Sequence, residues 1–237
     1  MTYDEAKELF EKYVQQFDLT NEKQDYKYKH SYRVASLALE IAKSLNLSDE
    51  EIDLAHVCGL LHDIGRFEQV KKYNTYHDVD SCDHGDVGYD VLKELNVDNE
   101  IILKSTKYHN KREIPNDLTE EEELFLNITR DADKLDILVN TCNEVPNDKL
   151  ELNDEIVQVF RERGLTVDKT SGKSSAMQVL RCVSFIFDIN FEYSYKYIKN
   201  NNLILSKLDN LLKICDDERL LEIKEIVKNY IKERVSD

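Results

Sequence analysis

Leu60-Leu61-His62-Asp63-Ile64-Gly65-Arg66 sets an imidazole and a carboxylate side by side at the end of an apolar run. Consecutive residues on a helix point about 100° apart, so His62 and Asp63 can close on one ion from neighbouring directions. A neutral imidazole with a carboxylate suits a borderline transition metal better than calcium. An apolar run that ends in two polar residues also turns them toward the interior, where ionisable groups need partners. The competing reading is a helix C-terminal cap whose polar groups are satisfied by hydrogen bonds. Taken alone, the stretch leaves both open.

Upstream, Ser48-Asp-Glu-Glu51 is a capping box, an N-cap hydroxyl followed three residues later by Glu51. It opens a helix through Ile52, Ala55, Leu60 and Leu61, with an end expected at Gly65. Before it, Val34, Leu37, Ala38, Ile41 and Leu45 make the apolar stripe of a helix over Tyr28–Leu45. Leu9, Tyr13, Val14 and Phe17 mark an earlier helix, left through Asp18-Leu-Thr-Asn-Glu22. Downstream, Gln69–Asp83 is polar with little periodicity and reads as a loop over or beside the site. Helices follow over Gly85–Leu95, Asn99–Tyr108 and Thr119–Asn140, then roughly over 150–162, 175–199 and 216–235. The chain reads as all-α. In the polar loop Gly164–Ser174, the Gly172-Lys-Ser ending lacks the glycine five residues earlier and the preceding strand that a phosphate loop requires.

Composition agrees. Only 6 Gly and 2 Pro interrupt 237 residues, and 41% hydrophobic with 34% charged residues is a globular profile with a well-solvated surface. A formal charge of -16 repels polyanions at long range, which disfavours duplex nucleic acid as a partner. It leaves small anions open, because bound cations reverse the local potential. Cys58, Cys82, Cys142, Cys182 and Cys215 show no CxxC spacing and read as reduced thiols of a cytoplasmic protein. The acidic amphipathic start, MTYDEAKELF, does not resemble a signal peptide, and no apolar run reaches the length of a membrane span.

Two further segments bear on His62 and Asp63. His30-Ser-Tyr-Arg33-Val34 puts His30 and Arg33 one turn apart on one helix face, where Arg33 is expected to orient a site carboxylate. Arg130-Asp-Ala-Asp-Lys-Leu-Asp136 carries three carboxylates on a helix whose apolar face includes Leu126, Leu135 and Leu138. All three cannot sit in a water-free core without a cation. Asp131 and Asp136 fit a solvated acidic face; Asp133 fits it less well. His56 reads as a satisfied core histidine. His77-Asp78 is an isolated dipeptide in the polar loop and is assigned no role.

His30, His62-Asp63 and Asp133, in that order and in the contexts His-x-x-Arg-Val, Leu-Leu-His-Asp-Ile-Gly and Asp-Ala-Asp-Lys-Leu-Asp, resemble the H…HD…D signature of the HD-domain metal-dependent phosphohydrolases. The run His-Asp-Ile-Gly-Arg-Phe-Glu-Gln is most similar to small stand-alone bacterial members. The resemblance implies an HD-type helical bundle with added C-terminal helices: one domain over 1–237, a metal-site core at about 25–140 and an extension at about 145–237. It implies His30, His62, Asp63 and Asp133 as metal ligands. Asp83-His84-Gly-Asp and Lys107-Tyr-His109-Asn resemble the extra histidine segments of two-metal members, so His84 and His109 would complete a second site with Asp63 as bridge. Tyr26 stands where three-metal members carry a glutamate, and no Gly-Tyr-Pro follows Tyr108-His109; both argue against a third ion and against cyclic-di-GMP hydrolysis.

The implied activity is hydrolysis of a phosphate ester, of a small molecule or nucleotide, by a metal-activated hydroxide. One or two divalent ions (Mn, Fe, Ni, Co, Zn or Mg) would serve as cofactor. Asp63, Arg66 and Lys134 are the catalytic candidates, the two cations as phosphate binders, with Lys111 and Arg112 behind them. The alternatives are a regulatory nucleotide-sensing module without turnover, a cyclic (di)nucleotide phosphodiesterase, and a di-iron oxygenase.

Overall fold

The computed structural model describes residues 1–166 and 174–235; most of the loop expected at 164–174 lies outside them. The described residues form α-helices and short 3-10 turns with no strand, so the chain is all-α as expected. None of these helices is long and apolar enough to cross a membrane. The chain divides into two compact units, Met1–Asp133 and Lys134–Asp237.

In the first unit, α1 (Tyr3–Val14) opens on a Thr2–Glu5 capping box and α2 (Glu22–Ser44) on an Asn21 cap. Helix α2 thus begins six residues before the expected Tyr28, because Asn21 accepts from the Lys23 and Gln24 backbone N–H groups. The Ser48 box opens α3 (Asp49–Leu61) as expected. Helices α2 and α3 pack closely, and a Cβ at Gly59 would lie 2.9 Å from the Ala35 Cα. That approach draws His30 on α2 toward His62 just past α3.

Gly65 was expected to end α3, yet it is the first residue of α4 (Gly65–Tyr73). The chain turns at His62–Ile64 in right-handed backbone, so no left-handed glycine cap is used. Glycine is needed here for space: a Cβ would lie 2.2 Å from the His84 carbonyl O and 2.5 Å from the Gly88 N. This contact seats α5 (His84–Glu94) beside the α3–α4 turn. The expected loop over 69–83 is therefore helical up to Tyr73 and has a 3-10 turn at Asp78–Asp80. Helix α6 (Glu100–Tyr108) packs on α5, and α7 (Glu120–Asn140) brings Asp133. Phe67 anchors the core, fully buried, with its ring 5.7 Å from Phe10 and 5.4 Å from Phe17.

The second unit takes the end of α7 together with α8 (Asp154–Arg161), α9 (Ser175–Ser184), α10 (Glu192–Asn200), α11 (Leu205–Leu212) and α12 (Arg219–Arg234). The single helix expected over 175–199 is broken by a 3-10 turn at Phe185–Asp188 and extended backbone at Ile189 and Phe191. Helix α11 was not anticipated. Its buried Lys207 donates to the Thr141 carbonyl and the Asn143 side chain, each at 2.6 Å. All five cysteines are free thiols, and the Cys142 and Cys182 sulfurs lie 3.6 Å apart.

Candidate metal centre

The first unit places His30, His62, Asp63, His84, His109 and Asp133 around one carboxylate. Asp63 Oδ2 lies 3.4 Å from His30 Nε2 and 3.6 Å from His62 Nε2; Asp133 Oδ1 completes that group at 3.1 and 3.7 Å from the same nitrogens. The other oxygen, Oδ1, lies 3.3 Å from His84 Nε2 and 3.5 Å from His109 Nε2. Two donors about 2.0–2.2 Å from one ion stand roughly 3.0–3.5 Å apart in octahedral or tetrahedral geometry, so both sets fit a divalent metal. Asp63 faces both sets, one oxygen to each.

The histidines are held with their Nε2 atoms inward. His62 Nδ1 donates to the Gly59 carbonyl at 2.8 Å and His109 Nδ1 to the Thr106 carbonyl at 2.8 Å. His84 Nδ1 donates to Asp78 Oδ2 at 2.7 Å. These acceptors assign the proton to Nδ1 and leave Nε2 as a bare acceptor. His84 Nε2 and His109 Nε2 are then 3.1 Å apart, two lone pairs facing each other. Among the described residues, the buried atoms His62 Nε2 and Asp63 Oδ1 have no hydrogen-bond partner. Buried acceptors without donors are costly, and one cation per set would satisfy all of them.

The protonation states agree with ligation. Burial, reinforced by the Arg66 charge, pulls the His84 pKa down to about 4, and burial also lowers that of His62. Burial alone would raise Asp63, but Lys27, His62 and Arg66 hold its carboxyl well below the usual range. Asp133 is likewise held well down, against its burial, by the His30 and His62 imidazoles beside it. Neutral imidazoles and ionised carboxylates are the states a metal binds.

Arg66 reaches the centre through Nε, 3.4 Å from Asp63 Oδ1, while its Nη1 donates to Gln69 Oε1, the Tyr76 carbonyl and Asp78 Oδ1. Lys134 pairs with Asp188 at 2.9 Å. Lys111 is engaged by Asp83 and Asp86. Arg33 lies over the Tyr26 ring, which stacks on His30.

At three places the structure departs from what the sequence predicts. Asp131 and Asp136 are the buried carboxylates of α7, and it is Asp133 that keeps an exposed edge. Asp136 accepts from the Asn140 side chain at 2.8 Å. His56 is half-buried and stacked on Tyr3, ring centres 3.4 Å apart, rather than set in the core. Asp78, given no role above, binds His84, Arg66, Gln69 and Asn110. Its position in a polar loop hid it; no sequence spacing ties it to His84. Lys27 was also missed. Its Nζ lies 2.6 Å from Asp63 Oδ2, and its place three residues before His30 on one helix is a signal that could have found it.

Residues 28–138 match a family model described as HD domain. No curated protein and no solved structure matches the chain. The matched segment contains all six histidine and aspartate residues of the centre, and the cluster fits an HD metal site.

Proposed function

We propose that this chain hydrolyses a phosphate ester of a small molecule or nucleotide at a two-ion centre; residues 28–138 match the HD-domain family, which is made up mostly of metal-dependent hydrolases. The observation that carries the reading is the placement of the Asp63 carboxylate, one oxygen facing His30 and His62 and the other facing His84 and His109. Divalent ions bound there would supply a water acidic enough to ionise near neutral pH and positive charge for the phosphoryl oxygens.

The chain's own residues set the rest. Asp63 would hold an ion with each of its oxygens, and Asp133 would complete the set with His30 and His62. Gly59, Thr106 and Asp78 fix the imidazole tautomers and so aim the lone pairs. Arg66 leans on Asp63 Oδ1 with its Nε while Nη1 is anchored, which leaves Nη2 as its donor toward a phosphoryl oxygen. An overall charge of -16 favours a small substrate over a polyanion, and the local cations draw its phosphate in.

The test is a panel of nucleotides, cyclic dinucleotides and simple phosphate esters, assayed with Mn²⁺ on protein purified without chelator, beside Asp63→Ala. Turnover of one class, abolished in Asp63→Ala, is expected. Bound metal with no turnover of any member would instead favour a nucleotide-sensing module.

A further inference from the structure

Lys27 is the charged group at the centre that neither ligation nor the fold accounts for. It sits on α2 one turn before His30, with its side chain only 10% exposed and its Nζ 2.6 Å from Asp63 Oδ2. An ammonium carries three N–H donors. One goes to Asp63; the remaining neighbours are the ring faces of Tyr26 and Tyr76, with centroids 5.9 and 5.4 Å away. Both rings lie within cation–π range, but neither face carries a formal negative charge or accepts as an anion's oxygen would. The Tyr76 hydroxyl donates to the Lys23 carbonyl at 2.7 Å, which fastens the loop after α4 onto α2 beside this ammonium.

The charges around it do not balance once an ion binds. Asp78 offsets Arg66 through a 2.8 Å pair. A single divalent ion already offsets the two ligand carboxylates, Asp63 and Asp133. Lys27 is then a surplus positive charge, nearly buried and with spare donors, and such a group is costly unless an anion completes it. A phosphoryl group has the right charge and offers acceptor oxygens.

Building on the phosphohydrolase reading, we infer that Lys27 donates to a non-bridging oxygen of the substrate's phosphoryl group, on the side of the centre formed by His30, His62 and Asp133. Lys27 is thus a substrate-binding catalytic residue, and Arg66 works from the opposite oxygen of Asp63.

Calorimetric binding of inorganic phosphate to Mn²⁺-loaded protein tests this, with metal counted per chain in the same samples. Lys27→Met should keep the wild-type metal content and lose about tenfold or more in phosphate affinity, as expected for one charge-assisted hydrogen bond. Lys27→Arg should recover part of the loss. Unchanged phosphate affinity in metal-loaded Lys27→Met would overturn the inference. Loss of metal from Lys27→Met would also overturn it, by making Lys27 a positioning residue for Asp63. Should Lys27→Met not fold, Lys27→Gln keeps a hydrogen bond to Asp63 without the charge and carries the same expectations. A metal-loaded wild type that neither binds phosphate nor cleaves any ester would instead refute the phosphohydrolase reading itself.

Discussion

Asp78→Asn should weaken one of the two proposed metal sites and spare the other. Asp78 Oδ2 accepts from His84 Nδ1 at 2.7 Å and from Asn110 Nδ2 at 3.2 Å, while Oδ1 accepts from Arg66 Nη1 at 2.8 Å and Gln69 Nε2 at 2.8 Å. Both oxygens are acceptors for two donors each. An asparagine has one oxygen and one NH₂, so whichever way the amide turns, one side sets donor against donor. With the NH₂ toward His84, the imidazole loses the partner that holds its proton on Nδ1 and its Nε2 toward Asp63. With the NH₂ toward Arg66, the 2.8 Å pair that holds residue 78 beside His84 is lost instead, and the acceptor for His84 Nδ1 is no longer fixed in place. Loss of such an outer partner typically costs about 10–100-fold in metal affinity, or roughly 1.4–2.7 kcal/mol. Mn²⁺ titration of chelator-stripped protein, followed calorimetrically, should resolve a weakened ion at His84 and His109 and a nearly unchanged one at His30, His62 and Asp133. Equal weakening of both ions, or of neither, would refute the assignment of Asp78 to His84.

Gly65→Ala should destabilise the fold by about 1–3 kcal/mol or more, because the new Cβ would meet backbone atoms of His84 and Gly88 that cannot turn aside; chemical denaturation measures it, and an unchanged midpoint would contradict the packing. Phe67→Ala should cost about 3–5 kcal/mol in the same assay, since the ring is fully buried among Phe10, Tyr13 and Phe17. Metal-free protein should also lose stability in acid. The His84 pKa of about 4 in the fold lies below the 6.5 of a free histidine, so the unfolded chain takes up the proton first. The contribution of this group is full above pH 6.5 and is lost as the pH falls toward about 4, on the order of 3 kcal/mol in all. Denaturation midpoints that stay flat across that window would contradict a buried neutral His84.

The helical class and the six converging residues were legible in the sequence because both rest on local signals. Capping residues and apolar spacing give the helices; His30, His62, Asp63 and Asp133 each sit in a recognisable context. What escaped depends on contacts that spacing does not encode. Gly65 looks like a helix terminator in one dimension, and only the approach of α5 shows that it starts α4 instead. Asp78 sits in a stretch with no periodicity, yet the fold brings four donors to it. The break after α9 carries neither glycine nor proline, so Phe185–Phe191 reads as continuing helix. Asp131 and Asp136 show the limit for charge: carboxylates grouped on one helix read as solvated, although both are buried and the Asn140 side chain donates to Asp136.

Metal stoichiometry decides whether the Asp63 carboxylate holds two ions. Chelator-stripped wild-type protein, dialysed to equilibrium against Mn²⁺ with metal counted per folded chain, should take up two ions, and Asp63→Ala should lose both because each depends on one oxygen of that carboxylate. A folded wild-type chain that takes up no metal would contradict the account, as would an Asp63→Ala chain that still holds two.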